Sequence, residues 1–574
     1  MQLRSLLVSS VALVSAFSSS LSVSTSSRDL WLSSNSNENG DNGLERLKAV
    51  VVGGGPVGLA TALTLSNAPH YYDVTLVEQS ADTSGYDPTK AYLYLVNPRG
   101  QVWTKRFPRV QELLEERGSV NTGMGNFVVV PADPSQPIPE KIPASNGEKS
   151  YWISRNTMVG VLETAIQEKE EKRLASQEEY GSVEVFPCKQ CLSLTSLNDG
   201  RIQVTVSDVR DRQVRFEQSF VADLVVAADG MNSAVRTYLS NPPADAPTDW
   251  LTENPRKFRV NAWASAASGL RMKVLQFPPA FVIPPSTKPT NSETIYAIRS
   301  VNTGPTNYIS LGLLPVKDPT MVRPTNVITR PNHDLLKLKG ADETKAWFQK
   351  AFPRLDLEAL IDHAEWQRFS TALGTTFPKC QYCAGMQVTH PSGNTGVVLV
   401  GDAIHAFPTD IGQGINAGLA DVESLDRALR GKNIITGEDL DRRPQNLAQA
   451  LQTYERVRMP EIKSLIRLAR FGSPYQYRQP CYRDRVGRIL WSANAALRLL
   501  LNKMSGGKIP PAAIMMAMDR TKSYRHLMRQ CDLTSATLWS LLAVFVHRMW
   551  GTVTLGTCSS VATGMWFLTY WFGK

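Results

Sequence analysis

The sequence predicts an α/β protein, because short, mostly apolar runs lead into glycine turns at three widely separated places. These runs are Lys48–Val52, Ala222–Ala228 and Val397–Val400. Such runs, bounded by glycine, are typical of strands buried in a parallel sheet. Each is followed, directly or after a short loop, by a stretch that favours a helix. With 574 residues and 42% hydrophobic content, the chain is long enough for two domains and an extension.

The first glycine turn has the spacing of a dinucleotide-binding fingerprint. Lys48–Val52 leads into Gly53-Gly-Gly55-Pro-Val-Gly58, and a helix-like stretch follows. Gly53 permits the tight turn, Gly55 lets the backbone approach a pyrophosphate, and Gly58 lets helix and strand pack closely. The pyrophosphate would lie at the helix N-terminus, where unpaired N–H groups favour an anion.

A second strand-like run, Val74–Val77, ends at Glu78. In the fingerprint an acid about 20 residues beyond the turn accepts hydrogen bonds from ribose hydroxyls. The alternative is a chance glycine-rich turn in an α/β protein. That alternative does not account for the strand, helix, second strand and acid together, so the sequence predicts a nucleotide site here.

The second glycine turn contains Asp229-Gly230, at the end of Ala222–Ala228. Ser233 and Arg236 follow shortly afterwards. Taken alone, this segment indicates either a ligand-facing acid or a strand, a turn and a capped helix with no further role.

The third glycine turn contains Gly401-Asp402 and is followed by Gly412-Gln413-Gly414-Ile415-Asn416. Asp402 would lie at the carboxyl edge of the sheet, where it can accept hydrogen bonds from a polyol chain. The amides that open the next helix can stabilise negative charge on a flavin ring. An ordinary helix N-terminus is the alternative, but it does not explain why both patterns occur together.

Together the three segments resemble the class A flavoprotein monooxygenases, which have the p-hydroxybenzoate hydroxylase fold. They are similar to the family's GxGxxG, DG and GD motifs, and Ile153–Leu162 is similar to a fourth, whose arginine (here Arg155) contacts the flavin nucleotide. The resemblance covers roughly Lys48–Leu429 and implies bound FAD. The implied cofactor contacts are Gly53, Gly55, Gly58, Glu78, Arg155, Asp229, Gly401, Asp402, Gly412, Gly414 and Asn416.

The implied architecture is a three-layer, Rossmann-like FAD domain interleaved with a mixed-sheet substrate domain, plus a C-terminal helical, membrane-associated tail. The predicted divisions are 1–43 as presequence and linker; 44–80, 150–240 and 385–430 as the FAD-binding domain; 81–149 and 241–384 as the substrate domain; 431–530 as C-terminal helices; and 531–574 as a membrane anchor.

Within this family the likeness is greatest to kynurenine 3-monooxygenase and its relatives. Ala91–Gly100 resembles a stretch in which an arginine before a glycine holds the substrate carboxylate, and Arg99 stands at that position. A guanidinium matches a carboxylate with two parallel hydrogen bonds. The alternative is a surface arginine in a turn, which Asn-Pro-Arg-Gly also favours.

The chain departs from its relatives beside the third glycine turn. Where they usually have two prolines, it has Pro408-Thr409, and where they have an apolar pair it has Asp410-Ile411. A carboxylate there would change the pocket that faces the reactive flavin carbon. We therefore predict that Thr409 and Asp410 contact the substrate.

The resemblance implies an FAD-dependent monooxygenase in which NADPH (or NADH) reduces the flavin and molecular oxygen adds as a flavin hydroperoxide. One oxygen atom then enters a small aromatic or isoprenoid substrate. The chain has no second glycine-rich βαβ unit for NADPH, and its relatives lack one too. The cofactor supplies the difficult chemistry, so no catalytic side chain is predicted.

Three interpretations remain open at this point. The first is aromatic hydroxylation of the kynurenine type, which the Arg99 segment favours. The second is epoxidation or hydroxylation of a plastid carotenoid or prenylquinone, which the two chain ends favour. The third is a membrane flavoprotein without turnover that has a binding role.

Charge and cysteines limit other classes of function. The net charge of +10 and the pI near 9.1 suggest attraction to anionic ligands or membrane surfaces. No basic run of five or more occurs, so nucleic-acid binding is not predicted. The pairs Cys188/Cys191 and Cys380/Cys383 lie much farther apart than zinc-site pairs usually do. They indicate ordinary loop cysteines, with a zinc site or a disulfide as the alternative, and no metal is predicted.

The two ends of the sequence predict a location. Leu6–Ala16 is typical of a signal h-region, and Ala16-Phe17 with the Ser-rich stretch after it resembles a presequence of secondary-plastid algae. A secretory signal is the alternative. Met549–Phe572 is 24 residues without a charge, long enough to span a bilayer. A buried helical cap or a helix on the membrane surface is the alternative, and a mitochondrial membrane is the alternative location.

Overall fold

The computed structural model describes residues 46–550 except 86–91, 122–126, 140–147, 177–180, 211–216, 245, 247–248, 302–307, 473–474 and 476–481. Its strands are β1 Lys48–Val52, β2 Asp73–Val77, β3 Leu93–Val96, β4 Ser119–Asn121, β5 Phe127–Val130, β6 Ser150–Ser154, β7 Val183–Phe186, β8 Lys189–Ser196, β9 Ile202–Asp208, β10 Glu217–Ala222, β11 Leu224–Ala227, β12 Val260–Trp263, β13 Arg271–Phe277, β14 Ile295–Arg299, β15 Ser310–Leu313, β16 Arg323–Thr329, β17 Thr375–Thr376, β18 Cys380–Cys383, β19 Gln387–Thr389, β20 Gly396–Leu399 and β21 His405–Ala406.

Its α-helices are α1 Pro56–Ser66, α2 Gln101–Thr104, α3 Pro108–Arg117, α4 Arg155–Ser176, α5 Ala234–Ser240, α6 Gly340–Ala351, α7 Leu357–Leu360, α8 His363–Thr371, α9 Gly414–Leu429, α10 Leu447–Phe471, α11 Tyr482–Met504 and α12 Tyr524–Trp550. Short 3-10 turns include Gly401–Ala403 and Thr409–Ile411. The predicted α/β class is confirmed.

The first large sheet has six strands in the order β19-β20-β11-β1-β2-β7. Its pairs are parallel except for β19, which runs antiparallel to β20 at one edge. Val51, Leu76, Val225 and Val398 in its central strands are fully buried. Strands covered on both faces favour such continuous apolar runs, which is why four of these strands could be recognised in the sequence.

Helices and a second sheet cover this parallel sheet. Helix α1 packs against both α4 and α9, and the antiparallel sheet β8–β10 contacts β1 and β2. Helix α1 has proline at its first position, where no intrahelical N–H is lost. The carboxyl end of β1 therefore leads through the glycine turn directly into the N-terminus of α1.

A second six-stranded sheet, with the order β17-β13-β16-β15-β14-β5, forms the other large unit. Its pairs are antiparallel except for β14 with β5. The aromatic side chains of Phe348, Trp366 and Phe369 on α6 and α8 are buried in the core cluster beside it.

Residues 93–121, which belong to the stretch 81–149 of the predicted substrate domain, contact the helices that cover the first sheet. Strands β3, β4 and β6 form a small separate sheet. The Trp103 indole N–H donates a 3.0 Å hydrogen bond to the Thr64 hydroxyl on α1. Helix α3 packs on α4, with Val110, Leu113 and Leu114 buried. The buried indole needs a hydrogen-bond acceptor, which α1 supplies. The apolar face of α3 needs a surface to pack on, which α4 supplies.

The C-terminal part is helical, with α10 packed against both α9 and α12. Helix α11, which begins at Tyr482, also lies in the stretch 431–530 that was predicted to be helical. Among the described residues, which end at Trp550, no helix is both long and apolar enough to cross a membrane. The remainder of the predicted anchor, 551–574, and the predicted presequence, 1–43, lie outside the described residues.

Candidate functional site

Four adjacent parallel strands end at one edge of the first sheet, and a predicted site residue follows each of them. Glu78 follows β2, Gly53 follows β1, Asp229 comes shortly after β11, and Gly401 comes shortly after β20. The carboxyl ends of neighbouring parallel strands meet at the same edge, where α/β proteins bind ligands. The topology thus brings segments far apart in sequence into one site.

The glycines of the first turn differ in what surrounds them. Gly53 has φ +108°, and a Cβ there would lie 2.5 Å from the Ala228 carbonyl oxygen. A Cβ at Gly58 would lie 1.8 Å from the Gly53 carbonyl oxygen. At Gly55, the N-cap of α1, a Cβ would meet nothing within 4 Å. Packing therefore requires Gly53 and Gly58, whereas Gly55 leaves open space at the helix N-terminus for an anion.

The Glu78 carboxylate is oriented by two backbone amides. Its Oε2 accepts the Gly54 N–H at 2.6 Å, and its Oε1 accepts the Ser80 N–H at 2.7 Å. A carboxylate can accept about four hydrogen bonds. Glu78 is therefore fixed beside the glycine turn with capacity left for ligand hydroxyls.

Only one of the two carboxylate oxygens of Asp229 has hydrogen-bond partners in the protein. Its Oδ2 accepts the N–H groups of Ala234 and Val235, at 2.7 and 3.2 Å, at the start of α5. Its Oδ1 is buried and has no hydrogen-bond partner, and burial raises the pKa of the carboxyl. A buried polar atom without a partner is rare in a folded protein, so this oxygen fits a site that a ligand donor would complete.

Asp402 and Arg155 are both near enough to Tyr92 and Tyr94 for their charges to act on the two phenols. Asp402 is accessible to solvent, yet surrounding protein raises the pKa of its carboxyl. Burial also raises the pKa of Tyr92 and Tyr94, and the charges of Arg155 and Asp402 act on both hydroxyls. No motif in the sequence marked these two tyrosines, which stand in the same segment as Arg99.

Hydrogen bonds of Asn416 fix the start of α9 to the protein, and two glycines there border free space. Gly412 has a left-handed φ of +61°, and a Cβ at Gly412 or Gly414 would meet nothing within 4 Å. The Asn416 side chain accepts the Asn97 N–H at 2.9 Å and donates to the Leu95 carbonyl at 2.8 Å. Asn416 thus fixes the helix to the end of β3, while the space beside Gly412 and Gly414 is open.

A buried ionic network lies behind the third glycine turn. Asp421 accepts hydrogen bonds from His405 Nε2 at 2.7 Å, from Arg458 Nε at 2.6 Å and from the Gly401 N–H at 2.9 Å. Burial opposes the charge on Asp421, but Arg458 and His405 lower its pKa. The sequence analysis did not select Asp421 or Arg458, because a helical acid and a helical arginine have no motif of their own.

Thr409 and Asp410, the predicted substrate contacts, lie on a single 3-10 turn before Gly412. Thr409 is exposed. Asp410 is partly buried, and burial raises the pKa of its carboxyl to about 7. Its Oδ1 has no hydrogen-bond partner. The turn therefore presents a carboxyl that is largely protonated below neutral pH.

Arg99, the predicted carboxylate anchor, is bound to the C-terminal segment. Its Nε and Nη2 donate to the carbonyl oxygens of Ala517 and Lys522, each at 2.7 Å. Its guanidinium lies 4.1 Å from the centre of the Tyr524 ring. A substrate carboxylate at Arg99 would have to replace some of these contacts.

The two CxxC pairs do not meet. Cys188, Cys191, Cys380 and Cys383 are free, buried thiols. Burial raises the pKa of Cys191, Cys380 and Cys383 to about 12. Within the described part of the chain, no group of three or more His, Cys, Asp or Glu residues has the geometry to hold a metal ion.

Comparison with known proteins gives one family and several partial relatives. A family model described as FAD binding domain matches residues 46–468. The chain is 28% identical over 160 residues to the FAD-dependent monooxygenase trt8 of Aspergillus terreus, covering 26% of this chain and 38% of that protein. It is 28% identical over 256 residues to kynurenine 3-monooxygenase of Phaeosphaeria nodorum, covering 43% of this chain and 42% of that protein. The chain therefore spans less than half the length of these curated relatives.

Solved structures also align with the chain. The tetrameric form of 2-methyl-3-hydroxypyridine-5-carboxylic acid oxygenase is 16% identical, with a TM-score of 0.47, over 74% of this chain and 90% of that one. Tetracycline destructase Tet(55) is 15% identical, with a TM-score of 0.49, over 83% of this chain and 98% of that one.

Proposed function

Because this chain belongs to the FAD-binding-domain family, which includes the class A flavin monooxygenases, we propose that it is an FAD-dependent monooxygenase. It uses NADPH or NADH as reductant and molecular oxygen as co-substrate, and it hydroxylates a small aromatic substrate of the kynurenine type. The partial match to kynurenine 3-monooxygenase and the Arg99 segment support this choice of substrate.

One observation carries the proposal: four neighbouring strands of one parallel sheet end at Glu78, Gly53, Asp229 and Gly401. This edge offers a helix N-terminus with open space at Gly55 and a fixed carboxylate at Glu78. It also offers a buried Asp229 oxygen that has no partner in the protein. These features fit the pyrophosphate and the hydroxyl groups of FAD.

When bound, FAD supplies the electron transfer and oxygen activation, and the side chains of the chain bind, orient and exclude water. Gly55 and the amides of α1 would hold the pyrophosphate. Glu78 would hold the ribose, and Arg155 and Asp402 the rest of the nucleotide chain. The amides at the start of α9 would face the flavin ring, where developing negative charge is stabilised by N–H dipoles.

Asp410 would form a hydrogen bond with the substrate. It lies on the turn just before the α9 amides, and its carboxyl has a pKa of about 7. A protonated carboxyl donates a hydrogen bond to a substrate oxygen, and an ionised one accepts a hydrogen bond from a substrate hydroxyl or amine. Near neutral pH it can do either.

A second candidate substrate is an isoprenoid such as a plastid carotenoid or prenylquinone. The observation that favours it is that Arg99 already binds the carbonyls of Ala517 and Lys522. A substrate without a carboxylate would leave those contacts in place. The plastid location inferred from residues 1–43, with the secretory pathway or a mitochondrial membrane as alternatives, belongs to this same proposal. Imaging of a fluorescent fusion tests it.

The test uses the purified full-length chain. Bound FAD is measured by absorbance, and NADPH and NADH oxidation are followed with kynurenine, a phenolic acid and a carotenoid in turn. Stimulation by kynurenine, lost in Arg99→Ala, supports the first substrate. Stimulation by the carotenoid alone supports the second. If the protein takes up FAD but neither donor reduces the bound flavin with any substrate, the chain is not a monooxygenase and a binding role is indicated. A colourless protein that does not take up FAD contradicts the cofactor.

A further inference from the structure

The C-terminal helices contact the candidate site through one buried side chain. Tyr524, the first residue of α12, is 3% exposed. Its hydroxyl donates a 2.7 Å hydrogen bond to Oε1 of Gln413. Gln413 stands between Gly412 and Gly414 at the start of α9. Because Tyr524 lies beyond residues 46–468, which match the family, this contact comes from a part of the chain that the family match does not include.

Gln413 anchors the glycine loop on the protein side. Its Oε1 accepts a second hydrogen bond, at 3.2 Å, from Nδ2 of Asn97. Gln413 and Asn97 are both fully buried. The glycines on either side of Gln413 face open space. The side chain of Gln413 therefore points into the protein and fixes the direction of a backbone whose other side is free for a ligand.

Tyr524 is itself held in place by three other elements. Its N–H donates to the Glu461 carboxylate on α10 at 2.6 Å, at the N-terminus of α12, where a negative charge is stabilising. Its ring lies beneath the guanidinium of Arg99, which also bonds to Ala517 and Lys522. The hydroxyl is thus placed by α10, by the loop after β3 and by the segment that precedes α12.

We propose that Tyr524 is a positioning residue for the cofactor site, acting through Gln413 on the α9 amides that would face the flavin. This inference rests on the proposed function for the identity of the ligand. Without the hydroxyl, the buried Gln413 oxygen keeps one donor of two, and the loop loses part of its fixed direction. Binding free energies are reciprocal between coupled sites, so FAD that orders the loop also stabilises the docking of residues 517–524.

The experiment compares Tyr524→Phe with Tyr454→Phe in the full-length chain. Tyr454 is a matched control, because it is fully buried and donates a 3.1 Å bond to the Leu399 carbonyl without contacting Gln413. Three quantities are measured: the dissociation constant for FAD, the absorption spectrum of the bound flavin, and hydrogen exchange of the amides at 412–416. The exchange is followed with and without FAD.

We expect Tyr524→Phe to raise the FAD dissociation constant about fivefold, the factor that a buried hydrogen bond of ~1 kcal/mol gives. We also expect a shifted flavin spectrum and faster exchange at 412–416, already in the protein without FAD. Tyr454→Phe should lower thermal stability and leave these readouts close to wild type.

Equal changes in both variants, or wild-type affinity and exchange in Tyr524→Phe, would overturn the positioning role. If the wild-type chain binds no FAD, the proposed function fails separately. Hydrogen exchange of the protein without FAD then decides alone: faster exchange at 412–416 in Tyr524→Phe supports the role, and unchanged exchange rejects it.

Discussion

The Nε2 atom of His405 lies 2.7 Å from Oδ2 of Asp421, and both side chains are almost completely buried. The same carboxylate binds Arg458 and the Gly401 N–H. A single acid on α9 thus holds the third glycine turn, the β21 histidine and α10 together. Because this one buried, charged residue bonds to all three partners, the arrangement of the third glycine turn depends on Asp421.

Asp421→Ala should lower the free energy of unfolding by about 3–5 kcal/mol, because it leaves the buried Arg458 guanidinium without its counter-ion. Denaturant unfolding of the protein without FAD measures this. Asp199→Ala removes an exposed ion pair with Arg201 and should cost less than about 1 kcal/mol. Similar losses in the two variants would contradict the central place given to Asp421.

Two alanine substitutions in the first glycine turn should separate folding from binding. Gly58→Ala places a Cβ against the Gly53 carbonyl and should destabilise the protein by about 3 kcal/mol. Gly55→Ala meets no protein atom, so the melting temperature should stay close to wild type. Its methyl group enters the space that a pyrophosphate approaches, and FAD affinity should fall about tenfold. Thermal melts and FAD titrations test both, and normal FAD binding by Gly55→Ala would remove that glycine from the site.

Glu78→Gln should weaken FAD binding about tenfold, because a charge-assisted hydrogen bond of ~1.4 kcal/mol is lost from the ribose. The amide oxygen can accept from only one of the two backbone N–H groups and the NH₂ faces the other, so the variant should fold with a modest loss of stability, which a thermal melt measures. Glu184→Gln is the control, since Glu184 is an exposed acid on the neighbouring strand β7. Equal FAD affinity in the two variants would place the ribose elsewhere.

Asp410→Asn should change how stability depends on pH. Burial raises the pKa of the Asp410 carboxyl to about 7, so between its unfolded pKa and pH 7 the folded state holds more protons than the unfolded state. Stability must then fall as pH rises through this window. The variant should be relatively more stable at pH 8 than at pH 4, by no more than about 2 kcal/mol after allowance for partial exposure. Urea unfolding at both pH values, with the exposed Asp441→Asn as charge control, measures it. A pH-independent difference would show that the carboxyl is ordinarily solvated.

Arg99→Lys should loosen the C-terminal segment, because an ammonium cannot span two carbonyls with the fixed fork that a guanidinium provides. Limited trypsin digestion should then cut sooner near Arg520 and Lys522 than in wild type. Arg271→Lys serves as the control, since Arg271 bonds to Leu373 and Thr376 on an exposed part of the second six-stranded sheet. If cleavage is unchanged, the contacts of Arg99 do not govern docking of the segment.

The parallel sheet and its ligand edge could be predicted from sequence because their signals are local. The strands β1 (Lys48–Val52) and β20 (Gly396–Leu399) were recognisable because burial on both faces favours apolar residues, and glycines follow where they end. A rule about parallel strands then brings Glu78, Asp229 and Asp402 to one edge without any knowledge of the rest of the chain.

The support behind that edge could not be predicted in the same way. Asp421 meets Arg458, and Gln413 meets Tyr524, only after helices have packed, and no periodicity encodes which helix faces which. Arg99 shows the same limit, because its sequence context suggested a turn or a substrate anchor. Its actual partners lie more than 400 residues away.

The order of strands in the parallel sheet has a consequence for synthesis on the ribosome. β1 pairs with β11, and β11 pairs with β20, which ends at Leu399. Until that residue has emerged, β11 is an unpaired apolar edge, which is prone to join other chains. The edge of β11 therefore stays uncovered while residues 228–399 are synthesised, and chaperone binding is expected in that interval.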